Sequence, residues 1–292
     1  MRIGAHLTAA DDIGDFARGA ADAAARGLHG AWTNQQPGGW DPLTVLSALP
    51  DGPAELGTAV VPTYPRHPVA LATEALTVQA LTGGRLTLGI GPGHAVHVTG
   101  ALGLPYTSPA RHTREYLEVL RPLLRGETVA FRGEHFTVDT GPLVRATPPP
   151  VLLSALGPRM LAVARDLAEG TIAVWVRPDT VADHLVPSLG DGARVVVTVV
   201  VSVTSDPDGL REGVARDFAL VGDLPAYRAV LDRGGLAGPA DTVVAGDEEH
   251  VLAELRRFGD AGATDLVVSA VGTPAERERV LDVAAQLARE AS

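Results

Sequence analysis

Short apolar runs and amphipathic stretches alternate along nearly the whole chain, and the two periods predict a strand followed by a helix, repeatedly. Arg2–Leu7 is an apolar strand; Asp11–Arg26 carries Ile13, Phe16, Ala17, Ala20 and Ala24 at helical spacing and closes on Gly27. Gly30–Thr33 predicts a second strand, Asn34–Gly39 its exit loop, and Asp41-Pro42 the cap and first position of a helix through Leu49. Leu56–Pro62 is a third strand. Pro68 opens a helix with apolar residues at 69, 71, 72, 75, 76, 78 and 81 that ends at Gly83-Gly84. Arg85–Ile90 is a fourth strand, running into Gly91-Pro92-Gly93-His94 and a polar Gly/Pro loop to about Pro109.

The second half continues the pattern after one interruption. A helix over Arg111–Leu124, bent near Pro122, is followed by Thr128–Val138, which reads as a hairpin about a Gly-containing turn. Val151–Ala155, Thr171–Val176, Val195–Val203 and Asp265–Ala270 are the remaining strands. Between and after them lie helices at Gly157–Glu169 and Thr180–Leu189, near 209–221, 223–234 and 247–261, and at Ala275–Arg289. The unbroken β-branched run at Val195–Val203 suits a strand covered on both faces. Eight strands alternating with helices predict an α/β protein, a (β/α)8 TIM barrel spanning residues 1–292 as a single domain, with the hairpin inserted after strand 4. An open doubly wound sheet shares the same local pattern and is the main competitor.

Composition narrows the chemistry. All 24 Lys+Arg residues are Arg, which removes Schiff-base catalysis and a P-loop lysine, and the absence of Cys removes thiolate catalysis and disulfides. The net charge of −11 argues against nucleic acid and anionic membranes as partners, so an anionic ligand needs a local Arg/His cluster. No apolar run reaches the length of a membrane span and the start lacks the order of a signal peptide, so a soluble cytoplasmic protein acting on a small molecule is expected.

In a barrel the ligand sits at the carboxyl ends of the strands. That rule gathers His6, Asn34, Gln35, Tyr64, Gly91, Gly93, His94, Ala155, Leu156, Gly157, Pro158, Arg159 and Trp175, with Tyr106 in the loop beyond the fourth strand. Glycines at 89, 91 and 93 bare the backbone at one strand end, where the choice lies between a ligand cradle and an ordinary exit loop. Gly157-Pro158-Arg159 offers free N–H groups at a helix start beside a guanidinium, which suits a phosphate; the alternative is a solvated surface arginine. His94, His97 and His112 raise the question of a metal, but no Asp, Glu or Cys lies between Arg85 and Thr113, so no metal site is expected. Neither a G-x-S-x-G elbow nor a dinucleotide fingerprint of the right spacing is present.

Taken together the segments Leu56-Gly-Thr-Ala-Val-Val-Pro-Thr-Tyr-Pro-Arg-His-Pro68, Leu81–Gly93, Tyr116–Gly126, Phe131-Arg-Gly-Glu-His-Phe136, Leu152–Met160 and Gly259–Val268 resemble the bacterial-luciferase-like flavin and deazaflavin oxidoreductases, in that family's order. The resemblance implies a barrel with an insertion, often a homodimer, binding coenzyme F420 or FMN at the strand ends. It is nearest to the actinobacterial F420-dependent branch. It also implies a bulge at Thr58, Ala59, Val60 and Val61, often with a non-proline cis peptide, that supports the deazaflavin ring. Asn34-Gln35 stands where several F420-dependent relatives carry Asp-His, and amides do not act as general acids or bases near neutral pH. Reduction of a C=C or C=N bond is therefore expected over alcohol oxidation, with His94 a candidate proton source. An FMN-dependent monooxygenase using oxygen and a non-catalytic ligand-binding barrel are the competing functions.

Overall fold

The computed structural model describes residues 1–8, 12–49 and 51–291. Among these, eight parallel strands close into a ring: β1 Arg2–His6, β2 Gly30–Thr33, β3 Glu55–Thr58, β4 Leu86–Gly91, β5 Val151–Leu153, β6 Gly170–Val174, β7 Arg194–Val203 and β8 Asp265–Ala270. Pairing of β1 with β8, Arg2 opposite Asp265, and of β6 with β7, Gly170 opposite Arg194, completes the closure. The ring settles the choice between barrel and open sheet, which local periodicity left open because both need the same strand–helix alternation.

The inside of the ring holds a small buried cluster of its own, with Trp32 its largest member. Trp32 packs with Leu152, Ile172, Val196 and Val267, and partly buried Ala59 and Val60 cover this cluster. It fits because two of the adjoining strand positions are glycines: a Cβ on Gly57 would lie 2.1 Å from the indole, and one on Gly30 2.7 Å. At the amino ends of the strands, Arg194 bridges Glu55 (2.9 Å) and Asp265 (2.7 Å), and Arg2 reaches Asp265 at 2.8 Å. Both carboxylates are buried, so the barrel has an ionic floor under an apolar core.

Helices wrap the ring and bury their apolar stripes against it. Pro68–Leu81 turns Leu71, Ala72, Ala75, Leu76 and Val78 inward, as its spacing predicts, while Leu81 faces outward at 64% exposure. The hairpin Val129–Arg132 and Thr137–Thr140 is antiparallel and lies between β4 and β5 in the chain. Several boundaries differ from expectation. The first described helix is Gly14–Ala25, and Asp11 lies outside the described residues. The loop after β4 contains a short helix, Ala95–Gly100, and Val244–Gly246 is a strand pairing with the end of β7 outside the ring. Residues 178–189 are helical throughout but pass through a π-turn at Val181–Leu185. Three-residue and π elements are set by tertiary contacts and leave no periodic trace.

Candidate active site

The third strand stops at Thr58 and resumes as the two-residue strand Val61–Pro62, which pairs with Ile90 and Gly91 of β4. Between them the Ala59–Val60 peptide is cis, within the segment where the family resemblance placed a bulge. Its neighbours pin the bulge. Thr58 Oγ1 donates to Gly89 O and accepts from Gly89 N, both at 2.8 Å, replacing ladder bonds with a side chain. Ala59 N donates to Thr33 O at 2.7 Å, and Gln35 N to Val60 O at 3.2 Å. Gly89 is obligatory here, because a Cβ would stand 1.9 Å from Thr58 O.

Val60 faces a cleft of about 780 Å³, lined mostly by apolar groups. Gly91, Pro92, Gly93 and His94 form one wall; Ser154, Leu156, Gly157, Pro158, Arg159 and Met160 form another. Their convergence turns an exit loop into a cradle. A Cβ on Gly91 would come within 3.0 Å of Ser154 Cβ and 3.1 Å of Val60 Cγ2, so the side-chain-free backbone lets Val60 and Ser154 pack close against this strand end. Gly93 turns the chain at φ 71°, a conformation glycine adopts without steric cost.

The second wall is braced from behind. Thr171 Oγ1 reaches the carbonyls of Leu153 (2.9 Å) and Ala155 (3.0 Å), and buried His184 donates Nε2–H to Leu156 O at 2.7 Å. With those carbonyls engaged, the helix Pro158–Leu167 begins at Gly157 with no side-chain cap, leaving N–H groups of its first turn for a ligand. Arg159 is exposed beside them and has no acidic partner among the described residues. By contrast Arg111, also on the cleft, is held by Glu115 (3.3 Å) and Glu134 (2.8 Å).

The loop beyond His94 is laced by aromatic rings. Tyr64 stacks on Tyr106 (centroids 4.8 Å) and on His112 (3.9 Å, planes within 5°). Tyr106 donates its hydroxyl to Gly93 O at 3.1 Å and Tyr64 donates to Thr107 O at 3.2 Å, so both phenols hold backbone. Burial, and for Tyr64 also the neighbouring Tyr106, pushes these phenols up, Tyr64 to about 12. His94 is exposed on the rim; desolvation by the surrounding protein, then His97, holds its pKa below the usual histidine value.

The strand-end residues divide into two groups. Val60, Gly91, Gly93, His94, Tyr106 and the 156–159 segment meet at the cleft. His6 and Asn34 pair with each other instead, Nε2 to Oδ1 at 3.2 Å, and His6 lines a separate hollow near Arg18 and Pro274. Burial lowers the His6 pKa, against a smaller opposing effect of Asn34. Gln35 accepts from Arg66 at 3.2 Å. Trp175 is buried against Phe218, Val200 and Val214 and is not among the cleft-lining residues. Sequence reasoning missed Arg111 and Tyr227 on the cleft wall. Tyr227 comes from the crossover between β7 and β8, more than a hundred residues beyond His94, and no local motif marks it.

The cleft offers a planar ring a seat against Val60, and offers an anionic group the 158–160 helix start beside Arg159. Among the described residues, no three His, Cys, Asp or Glu side chains gather as a metal site, and no helix is long and apolar enough to cross a membrane.

Barrel, bulge and cleft define a class: a (β/α)8 protein with an apolar cleft at the carboxyl ends of its strands. The luciferase-like monooxygenase family model matches residues 1–290, and the chain belongs to that family. It is 25% identical to the 5,10-methylenetetrahydromethanopterin reductase of Archaeoglobus fulgidus, over 82% of this chain and 83% of that protein. It is 25% identical to the F420-dependent glucose-6-phosphate dehydrogenase 2 of Rhodococcus jostii, over 76% of this chain and 74% of the other. The fold superposes on the coenzyme F420 dependent tetrahydromethanopterin reductase of Methanopyrus kandleri with TM-score 0.81, at 22% identity and 99% coverage of both chains.

Proposed function

We propose that this protein is a coenzyme F420-dependent oxidoreductase that transfers a hydride between the deazaflavin and a small organic substrate, reducing a C=C or C=N bond. One observation carries the reading. The bulge at Val60, the bare wall at Gly91 and Gly93 and Arg159 at a helix start, without an acidic partner among the described residues, border a single apolar cleft. The Rhodococcus jostii relative, whose name includes F420, lends it support.

In this reading the ring lies against Val60, and Arg159 with the first N–H groups of Pro158–Leu167 holds the anionic tail. When bound, the deazaflavin supplies a hydride. The chain's own part is to fix the ring against the bulge, keep water from the apolar walls and offer polar groups at one edge, an orientation task. Asn34, engaged by His6, and Gln35, engaged by Arg66, are not among the cleft-lining residues and as amides move no proton, so this position gives the cleft no acid–base pair for alcohol oxidation, which favours reduction. His94 stands on the rim as the group able to carry a proton between solvent and substrate.

Titration of the purified protein with F420 and with FMN, followed by cofactor fluorescence, tests the assignment. F420 is expected to bind the more tightly; binding of FMN alone refutes it. The second reading, an FMN-dependent monooxygenase, draws on the description of the matching family and predicts oxygen uptake with reduced FMN. A folded protein that binds F420 yet turns over no substrate would instead be a ligand-binding barrel. A homodimer belongs to the same proposal, and light scattering on the eluting peak from gel filtration decides it.

A further inference from the structure

The crossover from β7 to β8 brings a side chain to the cleft that no strand end supplies. Helix Pro225–Arg233 presents Ala226, Tyr227 and Ala229 to it, a wall that is apolar except for one hydroxyl. The Tyr227 ring meets that of His94 with centroids 5.4 Å apart and planes inclined by 50°. Tyr64 and Tyr106 use their hydroxyls to hold backbone carbonyls, but the Tyr227 hydroxyl and the His94 ring make no hydrogen bond among the described residues. They are two unengaged polar groups, from opposite sides of the chain, at one edge of an apolar cleft.

We propose that Tyr227 is the hydrogen-bond donor that orients the substrate, and that with His94 it selects flat, apolar molecules carrying a conjugated carbonyl or imine. The inference rests on the deazaflavin reading above. Reduction of an enone breaks the C=C π bond and forms two C–H bonds: a hydride from the reduced deazaflavin enters at the β-carbon and a proton from water enters at the α-carbon. The substrate gains two electrons and the cofactor loses them. Negative charge collects on the carbonyl oxygen between the two events, and a phenol O–H donating to that oxygen stabilises it. Burial pushes the Tyr227 phenol up to about 12, so it keeps its proton at neutral pH. Neutral His94 beside it leaves the edge uncharged, which suits a neutral carbonyl rather than a carboxylate.

The test uses 2-cyclohexen-1-one as probe with wild type, Tyr227→Phe and Tyr227→Ala. In cofactor-free protein, Tyr227→Ala should move the His94 ring-proton resonances and Tyr227→Phe leave them nearly in place; no movement in either overturns the contact. Tyr227→Phe should bind F420 within about twofold of wild type, since the wall's shape is kept. It should bind the enone to the oxidised F420 complex about tenfold more weakly, the loss of one hydrogen bond, and reduce it about 10²-fold more slowly. Enone affinity and turnover equal to wild type would make Tyr227 a wall residue only. Wild-type protein that binds F420 but not the enone refutes the substrate class alone. Wild-type protein that does not bind F420 refutes the cofactor reading, a result obtained before any enone is added.

Discussion

Gly91 lacks a side chain because the cleft leaves no room for one between Val60 and Ser154. Gly91→Val would push Val60 and Ser154 off the strand end and distort the seat proposed for the ring, and F420 affinity should fall at least about 100-fold. Overpacking of this kind costs about 1–3 kcal/mol of stability, so a denaturant titration run beside the fluorescence titration separates a blocked site from an unfolded one. Arg159 should act differently, through charge alone. Arg159→Ala is expected to weaken F420 about five- to tenfold at low ionic strength, with the difference shrinking as salt screens it. Affinity unchanged at both ionic strengths would remove Arg159 from the site. Gly91 and Arg159 were both visible as candidates in the sequence. Tyr227 was not, because a tyrosine inside an ordinary amphipathic helix shows nothing of what its face meets.

Helix Pro109–Leu124 and the hairpin after it form one unit, and their contact governs the loop that walls the cleft. Glu115 accepts from the backbone N–H groups of Glu134 (3.0 Å), His135 (2.7 Å) and Phe136 (3.3 Å), tying the hairpin turn to the helix. One turn earlier, buried His112 stacks under Tyr64, and its Nδ1 has no partner. Burial, then the nearby His135, lowers His112 to about 4 despite an opposing pull from Glu115. An unfolded histidine takes its proton near pH 6.5, so between about 6.5 and 4 the unfolded chain binds more protons than the folded one. Stability therefore falls as pH drops through that window. His6 and His94, also lowered, share the effect. His112→Phe should flatten the decline measured by denaturant midpoints from pH 7 to 4; an unchanged slope would show that His112 is solvated when protonated. The hairpin was legible from Thr128–Val138, whereas the stack was not, since Tyr64 and His112 are 48 positions apart and meet only when the barrel forms.

For the barrel as a whole, the ionic floor ties β1, β3, β7 and β8 together. Arg194→Met would leave Glu55 and part of Asp265 buried without their cation, and breaking such a pair costs about 3–5 kcal/mol. A loss below about 1 kcal/mol, read from denaturant unfolding, would mean that water reaches the floor. Burial alone would raise the Asp265 pKa, but Arg194, Thr264 and Arg2 hold it below the ordinary carboxylate value. A depressed carboxylate contributes stability above its unfolded pKa of about 3.9, and that contribution is lost as pH falls through the lower folded value. Acid should thus weaken the protein in two stages, histidines first and the floor afterwards.

The eight-fold alternation, the helix starts at Asp41 and Pro68 and the glycine-rich end of the fourth strand were set by the sequence alone, because strand and helix periods and backbone permissiveness are local properties. Ring closure, the short helix inside the loop after His94 and the strand at Val244–Gly246 were decided by tertiary structure, since their reasons lie in partners distant along the chain. The same division runs through the site. Gly91, Gly93 and Gly157-Pro158-Arg159 announced a bare, anion-tolerant backbone. Only the folded barrel showed that they share a cleft with Val60 and Tyr227 while His6, Asn34 and Trp175 turn to other neighbours. Residue type and spacing determine which chemistry is available; packing determines which groups meet.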